Sequence, residues 1–155
     1  MSDSSASTHV LIVEARFYEK LADELVNGAM RELKKQGATC ERLSVPGAFE
    51  IPAAIRFGAD AARTPEGNAP FHGFIALGCV IRGETSHYDY VCGESARGLQ
   101  DLAIQRGLAI GYGILTVENE EQAWARAGLH RGDKGGDAAR ACLAMIAIKR
   151  QFGLA

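Results

Sequence analysis

The sequence predicts an α/β sandwich built on a mostly parallel sheet. Three observations point there. Segments of strand and helix character alternate four times along the chain, which is the pattern of repeated βα units. The third strand candidate, Gly73–Ile81, is apolar throughout, as suits a central strand covered on both faces. A length of 155 residues with 47% hydrophobic content is enough for one domain with one sizeable core. In such sheets crossovers are right-handed, and ligands sit beyond the carboxyl ends of the strands.

Met1–Thr8 is Ser-rich, with no positive start and no apolar run. It reads as a disordered tail ahead of a single domain over 9–155, and not as a secretory signal. Val10–Val13 is a short apolar run and the first buried strand, and Glu14–Tyr18 is expected to be a loop. From Glu19 to Lys35, Leu21, Ala22, Leu25, Val26, Ala29, Met30 and Leu33 fall on one helical face, and Gly37 suits the helix end. Thr39–Val45 is the second strand, closed by Pro46-Gly47. Glu50–Ala62 is expected to be helical, since Pro52 falls in the first turn, where its missing N–H is not needed. Arg63–Pro70 is a loop. After the third strand, Arg82–His87 is a polar loop and Tyr88–Arg106 a long helix ended by Gly107. Leu108–Thr116 is the fourth strand. Asn119 with Gln122 forms a capping box for a short helix ending near Ala127. A last helix is expected over Gly136–Phe152.

Composition excludes several functions. Seventeen Lys+Arg against nineteen Asp+Glu leave a net charge of −2, the wrong balance for a protein that grips a phosphate backbone. No apolar stretch approaches the roughly 18–20 residues of a membrane span. Cys40, Cys79, Cys92 and Cys142 show no two-residue spacing, so they read as reduced thiols of a cytoplasmic protein. There is no Walker-type nucleotide loop, no three-glycine dinucleotide fingerprint and no H-E-x-x-H, and the four histidines are scattered.

The carboxyl-end rule directs attention to four loops: Glu14–Tyr18, Pro46–Glu50, Ile81–His87 and Thr116–Asn119. The densest chemistry is Gly83-Glu84-Thr85-Ser86-His87-Tyr88-Asp89-Tyr90, which opens a helix. Two readings stand for it. Free N–H groups at a helix start bind anions, with His87 beside them to move protons near neutral pH. Alternatively Ser86 or Thr85 only caps the helix and His87 is an ordinary first-turn residue. A Ser86–His87–Asp89 triad is rejected, because residues so close along the chain do not hold that relay geometry. Phe17 and Phe49-Glu50 suit a flat, nitrogen-rich ring, stacked by the aromatic and accepted by the carboxylate. Alternatively Phe17 and Phe49 pack helix to strand, the commoner use of Phe. Arg126 reads alone as a helix C-terminal charge and Lys134 as a solvated loop charge.

Taken together, these loops resemble the lumazine synthase family of riboflavin biosynthesis. The matching segments are Ala15-Arg16-Phe17, Val45-Pro-Gly-Ala-Phe-Glu-Ile-Pro52, Gly78-Cys-Val-Ile-Arg-Gly-Glu-Thr-Ser-His87-Tyr-Asp-Tyr-Val91, Gly113–Thr116, Glu118-Asn119, Glu121–Ala123, Arg126–Gly128 and Lys134-Gly135. They run in the family's order from about His9 to Phe152, and the Gly-x-x-x-Arg-Gly-x-Thr-x-His block is highly specific. The resemblance implies a flavodoxin-like three-layer fold with a four-stranded parallel sheet in the order 2-1-3-4. It implies a transferase that condenses 5-amino-6-(D-ribitylamino)uracil with 3,4-dihydroxy-2-butanone 4-phosphate. The products are 6,7-dimethyl-8-ribityllumazine, phosphate and water, and neither metal nor organic cofactor is needed.

It also implies roles. Phe17 stacks on the pyrimidine. Ala48, Phe49 and Glu50 line the ribityl and ring region, and Cys79, Val80 and Ile81 close the other side. Glu84 and Thr85 present N–H groups to the phosphate, Arg126 is its cationic partner, and Lys134 stands near it. His87 is the general acid/base. Tyr112 reaches the site from a neighbouring subunit of a homopentamer, which in some members grows to a decamer or a sixty-subunit shell. Tyr18 departs from the Asn that commonly follows Arg-Phe, and Val117 from a hydroxyl or acidic residue. Two further readings remain beside this one: a riboflavin synthase of the related pentameric type, and a non-catalytic flavin- or lumazine-binding shell protein.

Overall fold

A computed structural model of the chain describes residues 8–155. The expected tail falls outside these residues apart from Thr8, whose carbonyl accepts the Thr39 N–H at 3.0 Å. The element order is β1 (His9–Ala15), α1 (Glu19–Lys35), β2 (Thr39–Val45), a 3-10 turn (Ala48–Glu50), α2 (Ile51–Asp60), β3 (Gly73–Ile81), α3 (His87–Arg106), β4 (Ile110–Val117), α4 (Glu120–Ala127) and α5 (Lys134–Gln151). The four strands form one sheet in the order β2-β1-β3-β4. All pairs are parallel, with Val10 opposite both Cys40 and Gly73, and Phe74 opposite Ile110. This is the three-layer, flavodoxin-like architecture that was expected.

Strand alternation sorts the apolar residues onto two faces. Val10, Ile12, Ile75, Leu77, Leu115 and Val117 meet α1, α4 and α5 on one side. Leu11, Val13, Phe74, Ala76 and Ile114 meet α2 and α3 on the other. Gly111 lets α5 lie directly on β4, because a Cβ there would come within 1.9 Å of the Ala138 carbonyl oxygen. Gly135 does the same where α5 crosses α1, with the Leu25 carbonyl oxygen 1.9 Å away.

Several boundaries differ from expectation; β4, for one, runs Ile110–Val117 rather than Leu108–Thr116, and α3 begins at His87 rather than Tyr88. Glu14 and Ala15 belong to β1, not to the loop after it. Glu14 is only 2% exposed, and two arginines make that burial tolerable by satisfying its carboxylate. The last helix begins at Lys134 rather than Gly136, because Asp133, held in the left-handed region at φ 48°, accepts the Gly136 N–H and caps it. The second helix starts through the 3-10 turn and ends at Asp60, where Ala61 turns extended at ψ 137°.

Candidate active site

The carboxyl ends of β1, β2 and β3 and the start of α3 surround a cleft of about 560 Å³. β3 explains its floor. The strand is apolar from end to end, but burial ceases after Gly78, so Cys79, Val80 and Ile81 stay half-exposed under the opening. From β1 comes Phe17, 75% exposed, and from the turn after β2 comes Phe49, 55% exposed. Both rings line the cleft and are largely exposed rather than packed between helix and strand. Ala48 is buried in the same wall. Glu50 lies beside the Gly47 backbone, its Oε1 3.3 Å from where a Gly47 Cβ would stand.

The opposite wall is the turn into α3. Gly83, Thr85, His87, Tyr88 and Val91 line it, and Glu84 stands between two of these residues. Ser86 occupies the cap position without a side-chain cap bond. Thr85 Oγ1 instead accepts the His87 N–H at 3.3 Å. The N–H groups of Glu84, Thr85 and Ser86 meet no acceptor among the described residues and remain available to an anion. Arg82 lies over the Tyr88 ring at 4.3 Å and is held by Glu118 and Asp89. It braces the wall from outside. Burial pushes the Cys79 thiol up to about 11, so at neutral pH it is a neutral wall residue and no nucleophile.

Three expected residues stand elsewhere on the chain. Tyr112, 40% exposed, lies in the edge strand β4 on the α3 side of the sheet. Arg126 is solvent-exposed near the end of α4, where its Nη1 donates to the Gln122 carbonyl at 3.0 Å. Lys134 opens α5. None of them lines the cleft, and among the described residues neither lysine nor arginine does. The loop after β4 contributes nothing either, and Val117 is a core residue. Sequence reasoning missed Tyr88 as a wall residue. It also left open what Tyr18 does: its ring meets Phe17 edge-on at 4.9 Å and packs on the core below. The Tyr88 position, one residue past His87, was signal enough to have found it.

A family model described as 6,7-dimethyl-8-ribityllumazine synthase matches residues 7–150. The "6,7-dimethyl-8-ribityllumazine synthase 1" of Rhizobium meliloti is 59% identical over 145 residues, 94% of this chain and 94% of that protein. The protein of the same name from Mesorhizobium japonicum is 53% identical over 148 residues, covering 96% and 89%. The "6,7-dimethyl-8-ribityllumazine synthase" of Bartonella tribocorum is 52% identical over 153 residues, covering 99% and 97%.

Proposed function

The chain belongs to the 6,7-dimethyl-8-ribityllumazine synthase family, and on that premise we propose how its residues divide the work. The enzyme condenses 5-amino-6-(D-ribitylamino)uracil with 3,4-dihydroxy-2-butanone 4-phosphate to 6,7-dimethyl-8-ribityllumazine. Neither the riboflavin synthase reading nor the non-catalytic shell reading draws support from the family or its relatives.

The observation that carries the assignment is the cleft itself, which joins an exposed aromatic face to an open row of backbone donors. The aminouracil lies with its ring on Phe17 and its N–H groups toward Glu50. Ala48 and Phe49 flank its ribityl chain, and Cys79, Val80 and Ile81 floor the site. The butanone phosphate sets its phosphate on the Glu84 and Thr85 N–H groups. The amine then attacks the ketone, water leaves to give an imine, phosphate departs, an enol reorganises, and the ribitylamino nitrogen closes the ring with loss of a second water. Every step moves a proton, and His87, on the same wall as the phosphate donors, carries it. A positioned imidazole is worth about 10²–10⁴-fold, whereas holding two diffusible substrates together is worth up to about 7–11 kcal/mol. The enzyme is therefore mainly a template, with His87 as its shuttle.

A dianionic phosphate held by N–H groups alone lacks a countercharge, and the cleft has none of its own. Arg126, Lys134 and Tyr112 supply the missing functions from a neighbouring copy. A heterologous, head-to-tail contact closes into a ring where the rotation between copies allows it, and here that ring is a homopentamer. The exposed apolar side chains Tyr90 and Ile104 on α3, a helix that buries only Val91, Ser95 and Leu99, favour such a contact. No described helix is long and apolar enough to cross a membrane, and four free thiols suit a cytoplasmic setting. The test is to incubate the purified protein with both substrates, follow the fluorescent lumazine, and weigh the active species by native mass spectrometry. Product from a five-chain species supports the proposal, and product from a monomer refutes the shared site.

A further inference from the structure

Arg16 stands next to Phe17 but points away from the cleft into a cluster of charge that the reaction does not use. Only three residues, Arg16 to Tyr18, join β1 to α1. The middle one carries a ring that is three-quarters exposed, so apart from its edge-on contact with Tyr18 Phe17 has little packing of its own to fix where it lies. The start of α1 adds little constraint, since Tyr18 at the cap position makes no side-chain cap bond. What spans the connection is the Arg16 guanidinium. Its Nη1 donates to Glu14 Oε1 at 2.6 Å, its Nε to Glu19 Oε1 at 2.8 Å, and its Nη2 to the Glu19 carbonyl at 3.4 Å and to the Asp23 carboxylate. One side chain thus ties the last turn of the strand to the first two turns of the helix, directly across the loop that bears Phe17.

The far end of the tie is rigid. Glu14 is buried in β1 between Ser44 and Leu77 of the flanking strands. Arg42 from β2 holds it through Nε at 2.7 Å and Nη2 at 3.0 Å. Burial pushes the Glu14 carboxyl up, but the two guanidinium groups outweigh it and keep it below the ordinary carboxylate range. The anchor therefore stays charged at neutral pH. Because Arg42 binds both Glu14 oxygens, removing Arg16 leaves no buried carboxylate without a partner.

We propose that Arg16 is a positioning residue for the aminouracil, acting through Phe17 by fixing the loop that carries the stacking ring. The inference rests on Phe17 being that ring, and it goes further by giving a reason for two arginines gathered on the buried Glu14 carboxylate at the edge of the site. A planar fork is what the task requires: four acceptors on two elements are reached at once by a guanidinium and not by an ammonium.

The test measures KM for each substrate, kcat and melting temperature for Arg16→Met, Arg16→Lys, Phe17→Ala and the double variant Arg16→Met/Phe17→Ala. Arg16→Met is expected to raise KM for the aminouracil roughly 3–30-fold, since misplacing a binding group by a fraction of an ångström is costly. KM for the butanone phosphate should stay within about twofold. Arg16→Lys should restore stability but only part of the aminouracil KM. In the Phe17→Ala background the Arg16→Met effect should vanish, because two residues that act through one contact are not additive. The inference is overturned if Arg16→Met changes both KM values alike, or acts equally with and without the Phe17 ring, or if Lys restores the KM completely. An unchanged aminouracil KM in Phe17→Ala alone would sink the stacking assignment beneath it, and that arm identifies this failure by itself. If Arg16→Met does not fold, Arg16→Lys carries the same comparison.

Discussion

Arg126→Ala tests the proposed phosphate cation with little disturbance to the fold. In the chain the guanidinium makes one hydrogen bond, to the Gln122 carbonyl on its own helix, and no ion pair among the described residues. Its loss should cost the fold at most about 1 kcal/mol, the upper range for a charge at a helix C-terminus. That is roughly a 2–4 °C fall in melting temperature for a chain of this size. Binding should suffer more. A hydrogen bond to a charged group is worth about 1.5–3 kcal/mol, which corresponds to roughly a ten- to 150-fold rise in KM. The rise should fall on the butanone phosphate, because it alone carries a strong negative charge. KM for the aminouracil should move by less than about threefold. Steady-state kinetics with each substrate varied against saturating partner reads both numbers, and a thermal melt reads the control. Equal increases for the two substrates would refute the assignment, as would a large fall in stability with both KM values unchanged.

Three further outcomes follow from the same geometry. Phe17→Ala removes a face of about 50–80 Å² from the aminouracil, worth about 1.3–2 kcal/mol; a tenfold or greater rise in that substrate's KM is expected, and none if the ring only packs. His87→Ala should lower kcat roughly 10–10³-fold without abolishing turnover, since amine attack on a ketone needs no shuttle to proceed slowly; total loss in a folded variant would contradict the template account. Acid stability should report on Glu41, which is buried. Burial pushes its carboxyl up, but hydrogen bonds from Thr64, His9, Asn68 and the Glu66 N–H bring it down to about 2. A lowered folded-state value contributes stability that is complete above the ordinary 4.5 and is lost as pH falls from there toward 2. Glu41→Gln should be less stable at neutral pH and lose less across that acid window, as urea midpoints at pH 7, 5, 4 and 3 would show; parallel curves would refute the role.

Much of the fold was legible because its signals are local. The α1 stripe, the apolar β3 and the Asn119 cap each sit within a few residues, and the structure reproduces Glu19–Lys35, Thr39–Val45 and Gly73–Ile81 with the boundaries read from sequence. Glu14 was not legible. A carboxylate at the end of an apolar run looks like the start of a loop, and the Arg42 that makes it a strand residue lies on β2. The same holds for Asp133, whose cap depends on a left-handed backbone that local pattern does not announce. In the site, the carboxyl-end rule found the loops but not how side chains point. Nothing near Phe17 or Phe49 in sequence tells an exposed ring from a packed one. Nor does sequence order show that Tyr112, Arg126 and Lys134, which all follow β3 along the chain, lie off the cleft that the earlier loops build.

The central claim, that each site joins the cleft of one chain to the cation of the next, is tested most directly by mixing subunits. His87→Ala and Arg126→Ala chains, both impaired when assayed with butanone phosphate well below the Arg126→Ala KM, are unfolded together in equal amounts and refolded. In a randomly mixed ring, about a quarter of the junctions pair an intact cleft with an intact Arg126. Recovery of activity to about a quarter of the wild-type rate is the expected result. If the mixture is no more active than the average of its two parents, Arg126 serves its own chain and the shared site is wrong.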